Sequence, residues 1–146
     1  MNIERLAEFA SNHWMMSSGL FVVSLLLLQD FYDTLTRKYK STTPSDVVTL
    51  LNNDQTLVID VREPHEFANG HIDGARNVLF SKLDEKLHEL ETQKDVPIIV
   101  ACQQGTRSAA ACKKLVKAGF TDVHDLRGGI LAWQDAKLPL VKKSKK

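Results

Sequence analysis

Cys102 lies in a short polar segment, CQQGTRS at 102–108, whose residue types suit nucleophilic chemistry. The segment separates an apolar run at 98–101 from a stretch of helical periodicity, which predicts a loop between a strand and a helix. There a cysteine feels the helix dipole and the unpaired backbone N–H groups, and Arg107 adds a positive charge. Both effects favour the nucleophilic thiolate over the thiol. The alternative, that Cys102 is a small hydrophobe capping a strand, stays open on the position of the cysteine alone.

The residues after the cysteine predict a small anion cradle. Gly105 permits backbone angles that a side chain forbids, and a curled loop turns its N–H groups inward. The two glutamines either contact a donor or acceptor molecule or simply face solvent. We therefore predict Cys102 as the catalytic residue and the rest of the loop as substrate-binding: Gln103, Gln104, Gly105, Thr106, Arg107 and Ser108.

Three charged residues upstream are candidates for a supporting role. Asp60 ends a predicted strand, where its carboxylate either accepts hydrogen bonds from loop N–H groups or tunes the electrostatics of the site. Arg62 and Glu66 are expected to form a structural ion pair. His71 is expected to form structural hydrogen bonds. The second cysteine, Cys112, falls on the apolar face of its helix and is expected in the core.

Periodicity along the chain predicts an α/β domain with a parallel sheet, because short apolar strands alternate with helices. Thr43 and Pro44 have the residue types of an N-cap and a first helical position. Gly119 suits the end of the helix that follows Cys102, and Gly128-Gly129 suits a turn. Strands are predicted at 57–60, 75–78, 98–101 and 123–126, and helices at 44–51, 64–67, 83–90, 108–118 and 130–133.

The N-terminal segment differs from the rest in having no Lys, Arg, Asp or Glu over residues 9–29. We predict a single transmembrane helix (about 9–29) within segment 1–32, then a linker at 33–40, a domain at 41–140 and a basic tail at 141–146. A cleaved signal peptide and a buried helix are the alternatives. Arg37, Lys38 and Lys40 follow the run, so the positive-inside rule places the domain in the cytoplasm. The basic tail is either solvated or weakly attracted to anionic lipid.

Composition excludes several classes of function. The formal net charge of +1 gives no bulk attraction to nucleic acid. Two cysteines make no disulfide framework, and five scattered histidines make no metal-binding spacing. We therefore expect no metal.

Three motifs resemble the signatures of the rhodanese family of sulfurtransferases. CQQGTRS resembles its active-site loop, C-x-x-G-x-R-S/T. DVREPHEFANGHIDGARN at 60–77 resembles its first signature, and LRGGILAW at 126–133 resembles its C-terminal one. The resemblance implies a rhodanese-like three-layer α/β fold with a five-stranded, mainly parallel sheet of order about 1-5-4-2-3. It also implies that Arg62 and Glu66 buttress the pocket.

The resemblance implies transfer of a sulfane sulfur without a cofactor. Cys102 would take sulfur from a donor such as thiosulfate and pass it as a persulfide to a thiol or protein acceptor. Related phosphatases carry a longer loop, H-C-x5-R, that wraps a phosphate. Here only four residues separate Cys102 from Arg107, and Ala101 rather than histidine precedes the cysteine. The shorter loop suits a sulfur atom or a sulfonyl group better than a phosphoester. The alternative is a non-catalytic module that docks a membrane protein. With the apolar segment in lipid, we expect a single-pass protein of the bacterial inner membrane.

Overall fold

The computed structural model describes residues 13–35, 37–52 and 55–142. The chain divides into two compact units, Met1–Arg37 and Lys38–Lys146. The first contains helix α1, Trp14–Leu35. Most of the large apolar side chains described in this helix are exposed; Trp14, Leu20 and Phe21 are each at least 64% exposed. Among the described helices, none has the length and apolarity needed for crossing a membrane. The predicted transmembrane helix is therefore not supported, and residues 9–12 of its span lie outside the described residues.

The second unit is built on a five-stranded sheet in the order β1-β5-β4-β2-β3, with every neighbouring pair parallel. The predicted α/β class and sheet order are confirmed. Asp60 pairs with Ala101 at the carboxyl ends of β2 and β4, so the segments after these strands emerge side by side. The strands are β1 (Lys40–Thr42), β2 (Leu57–Asp60), β3 (Arg76–Asn77), β4 (Ile98–Ala101) and β5 (Val123–Leu126).

Helices cover both faces of this sheet and give it three layers. Val58 and Ile99 point to one face, where they pack with Val47, Ile130 and Trp133. The neighbouring strand residues point to the other face and form a second cluster that includes Leu57, Ile59, Val100, Leu83 and Leu115. The helices are α2 (Pro44–Leu51), α3 (Pro64–Asn69), α4 (Leu83–Lys86), α5 (Thr106–Lys117) and α6 (Gly129–Asp135), with 3-10 turns at Phe80–Lys82 and Leu87–Gln93.

The predicted start of α2 and the predicted glycine after α5 are observed. Pro44 is in the first turn of α2, and the hydroxyl of Thr43 accepts a hydrogen bond from the Asp46 amide at 3.4 Å. Gly119, just after α5, has a φ of +92°, the left-handed conformation expected of a residue that ends a helix. Asn53, two residues past the predicted end of α2 at 51, lies outside the described residues.

Several segments differ from the sequence-based expectation. Strand β1 begins at Lys40, inside the predicted linker, and α1 continues through Leu35. The predicted helix at 83–90 is one α-helical turn followed by a 3-10 helix. The folded chain extends past the predicted domain end at 140, because Val141 and His71 exchange two backbone hydrogen bonds of 2.9 Å. Strand β1 has only three residues, which is too short for a hydrophobic period to be recognised in the sequence.

Candidate functional site

Cys102 follows β4 directly, and Gly105, three residues later, is the N-cap of helix α5. Gly105 has a φ of +100°, and a Cβ atom there would lie 3.3 Å from the backbone nitrogen of Gly128. A side chain at this position is thus disfavoured both by the left-handed backbone and by lack of room. The loop turns sharply enough to aim the first turn of α5 back toward the thiol.

The thiol of Cys102 contacts a backbone N–H group and a hydroxyl. The Gly105 amide donates to Cys102 Sγ at 3.0 Å, and Sγ lies 3.3 Å from Ser108 Oγ. Ser108 Oγ in turn donates to the Gly105 carbonyl at 3.0 Å, which fixes the hydroxyl. Cys102 is 1% exposed and lines a pocket of about 250 Å³ together with Gln103, Gln104, Thr106 and Arg107. The sulfur therefore lies at the base of a small polar pocket.

The N-terminus of α6 binds the outer side of the loop. The Ile130 amide donates to the Cys102 carbonyl at 2.8 Å, and the Leu131 amide donates to the Gln103 carbonyl at 3.2 Å. Gly129 makes this approach possible, since a Cβ there would lie 2.3 Å from the Cys102 oxygen. The sequence predicts only a turn at Gly128-Gly129 and not this contact. The pair of adjacent glycines was the available signal for a close backbone approach.

A buried ion pair lies beside the loop. Asp60 and Arg62 are 1% and 3% exposed, and Arg62 Nη2 is 2.7 Å from Asp60 Oδ2. Asp60 also accepts the Arg62 backbone N–H at 3.0 Å. Nη1 of Arg62 donates to Gln103 Oε1 at 3.0 Å, and Nη2 donates to the Gly70 carbonyl at 2.7 Å. The first signature is thereby joined to the cysteine loop through the side chain of Gln103.

The ion pair predicted between Arg62 and Glu66 is wrong. Arg62 pairs instead with Asp60, the last residue of the buried strand β2. Glu66 is turned toward the other side, where its Oε2 lies 3.5 Å from Arg107 Nη1. The Glu63 amide also donates to Glu66 Oε2 at 3.1 Å, because the two glutamates form a capping box at the start of α3.

The remaining predicted residues separate into a rim and a core. Gln104 and Thr106 are exposed at the pocket mouth, whereas Ser108 is buried beneath it. Cys112 is fully buried in the core, and its burial raises the pKa of its thiol far above the ordinary range. His71 stacks on Phe67 with ring centroids 3.7 Å apart, and its Nδ1 lies 2.8 Å from the Phe67 carbonyl.

The arrangement around Cys102 suits covalent chemistry at sulfur. The thiol has a backbone N–H donor beside it, a helix N-terminus beyond it and an arginine on its rim, all of which stabilise negative charge. Over the residues that the structure describes, no group of three or more His, Cys, Asp or Glu side chains is placed to hold a metal ion. The reactive group that the site presents is the cysteine itself.

Comparison with known proteins identifies the family. Residues 43–136 match the Rhodanese-like domain. The uncharacterized protein YibN of Escherichia coli K12 is 31% identical over 141 residues, 96% of this chain and 99% of that protein. Thiosulfate sulfurtransferase GlpE of Stutzerimonas stutzeri is 35% identical over 91 residues, 62% of this chain and 82% of that protein. The crystal structure of a rhodanese-related protein from Thermoplasma volcanium superposes with a TM-score of 0.64 at 36% identity, covering 72% of this chain and all of that one.

The family match spans the cysteine loop, the buried Asp60–Arg62 pair and the glycine pair that supports the loop. The sheet order and the position of the thiol agree with the three sequence motifs. This chain belongs to the rhodanese-like domain family.

Proposed function

We propose that the protein is a sulfurtransferase that carries a sulfane sulfur as a persulfide on Cys102. The observation that carries this proposal is the position of Sγ at the base of a pocket of about 250 Å³. There Sγ accepts a hydrogen bond of 3.0 Å from the Gly105 N–H. A pocket this small fits a sulfur atom with its sulfonyl group. The name of the similar GlpE protein, thiosulfate sulfurtransferase, supports the same reaction class.

The first half-reaction loads the cysteine. The Cys102 thiolate attacks the outer sulfur of thiosulfate, a new Sγ–S bond forms, and the old S–S bond breaks with its electron pair leaving on sulfite. The persulfide then carries the single negative charge that the thiolate had. The Gly105 N–H and the α5 N-terminus stabilise that charge before and after the transfer, which lowers the barrier because the donors are already in place.

The second half-reaction unloads the cysteine. A thiophilic acceptor, such as cyanide in an assay or a thiol in a cell, attacks the terminal sulfur. The Sγ–S bond breaks and its electron pair returns to Sγ as thiolate. Since Cys102 is 1% exposed, the acceptor must reach the sulfur through the rim formed by Gln104, Thr106 and Arg107. The extra sulfur of the persulfide extends toward that rim.

Intact mass spectrometry tests the proposal directly. After mixing with thiosulfate, the protein should gain about 32 Da, one sulfur on the nucleophilic residue. Cys102→Ala should gain nothing and should form no thiocyanate with cyanide, whereas Cys112→Ala should do both. Equal loss in the two variants with the fold intact would overturn the assignment. Failure of the wild-type protein to gain sulfur from any donor would favour a docking module instead.

We also propose that the N-terminal segment holds the domain at the cytoplasmic face of the bacterial inner membrane. The exposed apolar side chains of α1 support this, since such a surface is normally covered by lipid or protein. Arg37 and Lys38, which follow α1, carry the positive charge typical of the cytoplasmic side. The similarity to YibN extends over 96% of the chain and so includes part of this segment.

Fractionation of cells tests the membrane proposal. The full chain should sediment with membranes, and a chain beginning at Lys38 should stay in the supernatant and still gain sulfur. Resistance to carbonate indicates a spanning segment, and release by salt indicates one that lies in the interface. A full chain found in the supernatant would overturn the proposal. Protease outside intact cells should spare the domain, and its digestion would show the opposite orientation.

A further inference from the structure

The pocket of Cys102 has its positive charge compensated on the rim. Arg107 lines the pocket, and its Nη1 lies 3.5 Å from Glu66 Oε2. The side chains of Arg107 and Glu66 are 43% and 23% exposed, so solvent weakens their interaction without abolishing it. An anion approaching Cys102 therefore meets an arginine together with its counter-charge.

Glu66 is held in position by its own helix. The Glu63 amide donates to Glu66 Oε2 at 3.1 Å in the capping box of α3. Its carboxylate therefore loses less side-chain entropy on pairing with Arg107 than a free surface glutamate would. The negative charge of Glu66 is thereby held next to Arg107.

The other lining residues add no net charge. Gln103, Gln104 and Thr106 are neutral. The nearby guanidinium of Arg62 is already compensated by Asp60 at 2.7 Å. Attraction for an incoming anion thus depends on the backbone N–H groups and on what remains of the Arg107 charge.

We infer that Glu66 is a specificity-determining residue that favours singly charged sulfane-sulfur donors, such as alkyl thiosulfonates, over dianionic thiosulfate. This inference rests on the proposed function. The repulsion between the Glu66 carboxylate and a donor scales with the charge of the donor, so it acts twice as strongly, in free energy, on a dianion as on a monoanion. Thiosulfate and methanethiosulfonate present the same outer sulfur and differ by one charge.

The reaction balances with a thiosulfonate donor. The Cys102 thiolate attacks the outer sulfur, the Sγ–S bond forms, and the S–S bond breaks with its electron pair leaving on a sulfinate. Thiosulfate loses sulfite in the same way. The bonds made and broken are equivalent for the two donors. If a substitution at Glu66 changes kcat/KM differently for the two donors, the difference therefore reflects their charge.

The test is the kcat/KM of Glu66→Gln with both donors. Glutamine keeps an oxygen that accepts the Glu63 N–H, so α3 retains its cap. Removing the charge should raise kcat/KM about threefold for methanethiosulfonate and about sevenfold for thiosulfate at low ionic strength, for charges roughly 7 Å apart in water. Both gains should shrink toward one as salt screens the site. Glu63→Gln is the matched control, since it removes the same charge from the same capping box, and its effects should be smaller.

An equal change for both donors would overturn the inference, because a role in positioning alone does not depend on donor charge. So would gains that persist at high salt or that Glu63→Gln reproduces. If Glu66→Gln is unstable, Arg107→Gln gives the second test: it should reduce kcat/KM more for thiosulfate than for methanethiosulfonate, and an equal loss counts against the inference. The proposed function is judged separately, by whether Cys102 gains sulfur at all.

Discussion

Gly129→Ala should disrupt the cysteine loop without altering any side chain of the pocket. A Cβ at Gly129 would lie 2.3 Å from the Cys102 carbonyl oxygen and 2.7 Å from the Gln103 oxygen, and the φ there is +63°. The left-handed backbone costs an alanine about 1–2 kcal/mol. Forcing apart close-packed backbone typically adds about 1–3 kcal/mol. We therefore expect a loss of about 2–5 kcal/mol in the free energy of unfolding.

Gly74→Ala separates the two contributions. Gly74 has a similar φ of +74°, but a Cβ there meets nothing within 4 Å. It should lose only the backbone cost of about 1–2 kcal/mol and retain normal sulfur transfer. In Gly129→Ala, transfer should fall about 10–100-fold, because a reacting group displaced by 1 Å loses that much. Urea unfolding and thiocyanate formation measure the two effects. Equal stability losses with unchanged transfer in both variants would refute the account of how α6 supports the loop.

Three further outcomes are expected. Iodoacetamide should leave Cys112 unlabelled in the folded protein and label it in urea, because burial raises the pKa of its thiol; labelling at the rate of a free cysteine would contradict this. Asp60→Ala should lower the free energy of unfolding by about 3–5 kcal/mol, since it leaves the buried guanidinium of Arg62 uncompensated, and urea unfolding close to wild type would show the pair to be dispensable. The pKa of Asp122 is lowered chiefly by its hydrogen bond from Lys40, so its contribution is present above the ordinary pKa of an aspartate, about 3.9, and lost as the pH falls through the lower folded value. The stability deficit of Asp122→Asn should be present at pH 7 and vanish toward pH 2, and a deficit independent of pH would exclude the linkage.

The central part of the fold could be predicted because its strands are continuous apolar runs. Ile98–Ala101 is buried on both faces. The cysteine loop that follows it contains Gly105 and leads into a residue pattern typical of a helix. The edge strand Lys40–Thr42 could not be found in this way. It has three residues, two of them exposed, and it is held by pairing with β5 rather than by a hydrophobic pattern.

The site was predictable in position but not in its pairings. Residue type and spacing located Cys102 and the loop, because a helix start after a buried strand is a local feature of sequence. Whether Arg62 would turn toward Asp60 or toward Glu66 depends on tertiary geometry, since both carboxylates lie within four residues of it. In the structure Arg62 Nη2 lies 2.7 Å from Asp60 Oδ2, and Glu66 pairs with Arg107. Sequence spacing alone does not distinguish these arrangements.

These pairings partly compensate the positive charge near Cys102. Both arginines near Cys102 have a carboxylate partner, Arg62 in the buried layer and Arg107 at the rim. The group nearest the sulfur that favours negative charge is then the Gly105 N–H, a fixed backbone dipole at 3.0 Å. An N–H group at that distance stabilises the thiolate more than the persulfide, because the charge of the persulfide lies on the outer sulfur, one S–S bond of about 2 Å beyond Sγ. Stabilisation of the loaded state therefore depends more on the first turn of α5 and on Arg107 at the rim, toward which the outer sulfur extends.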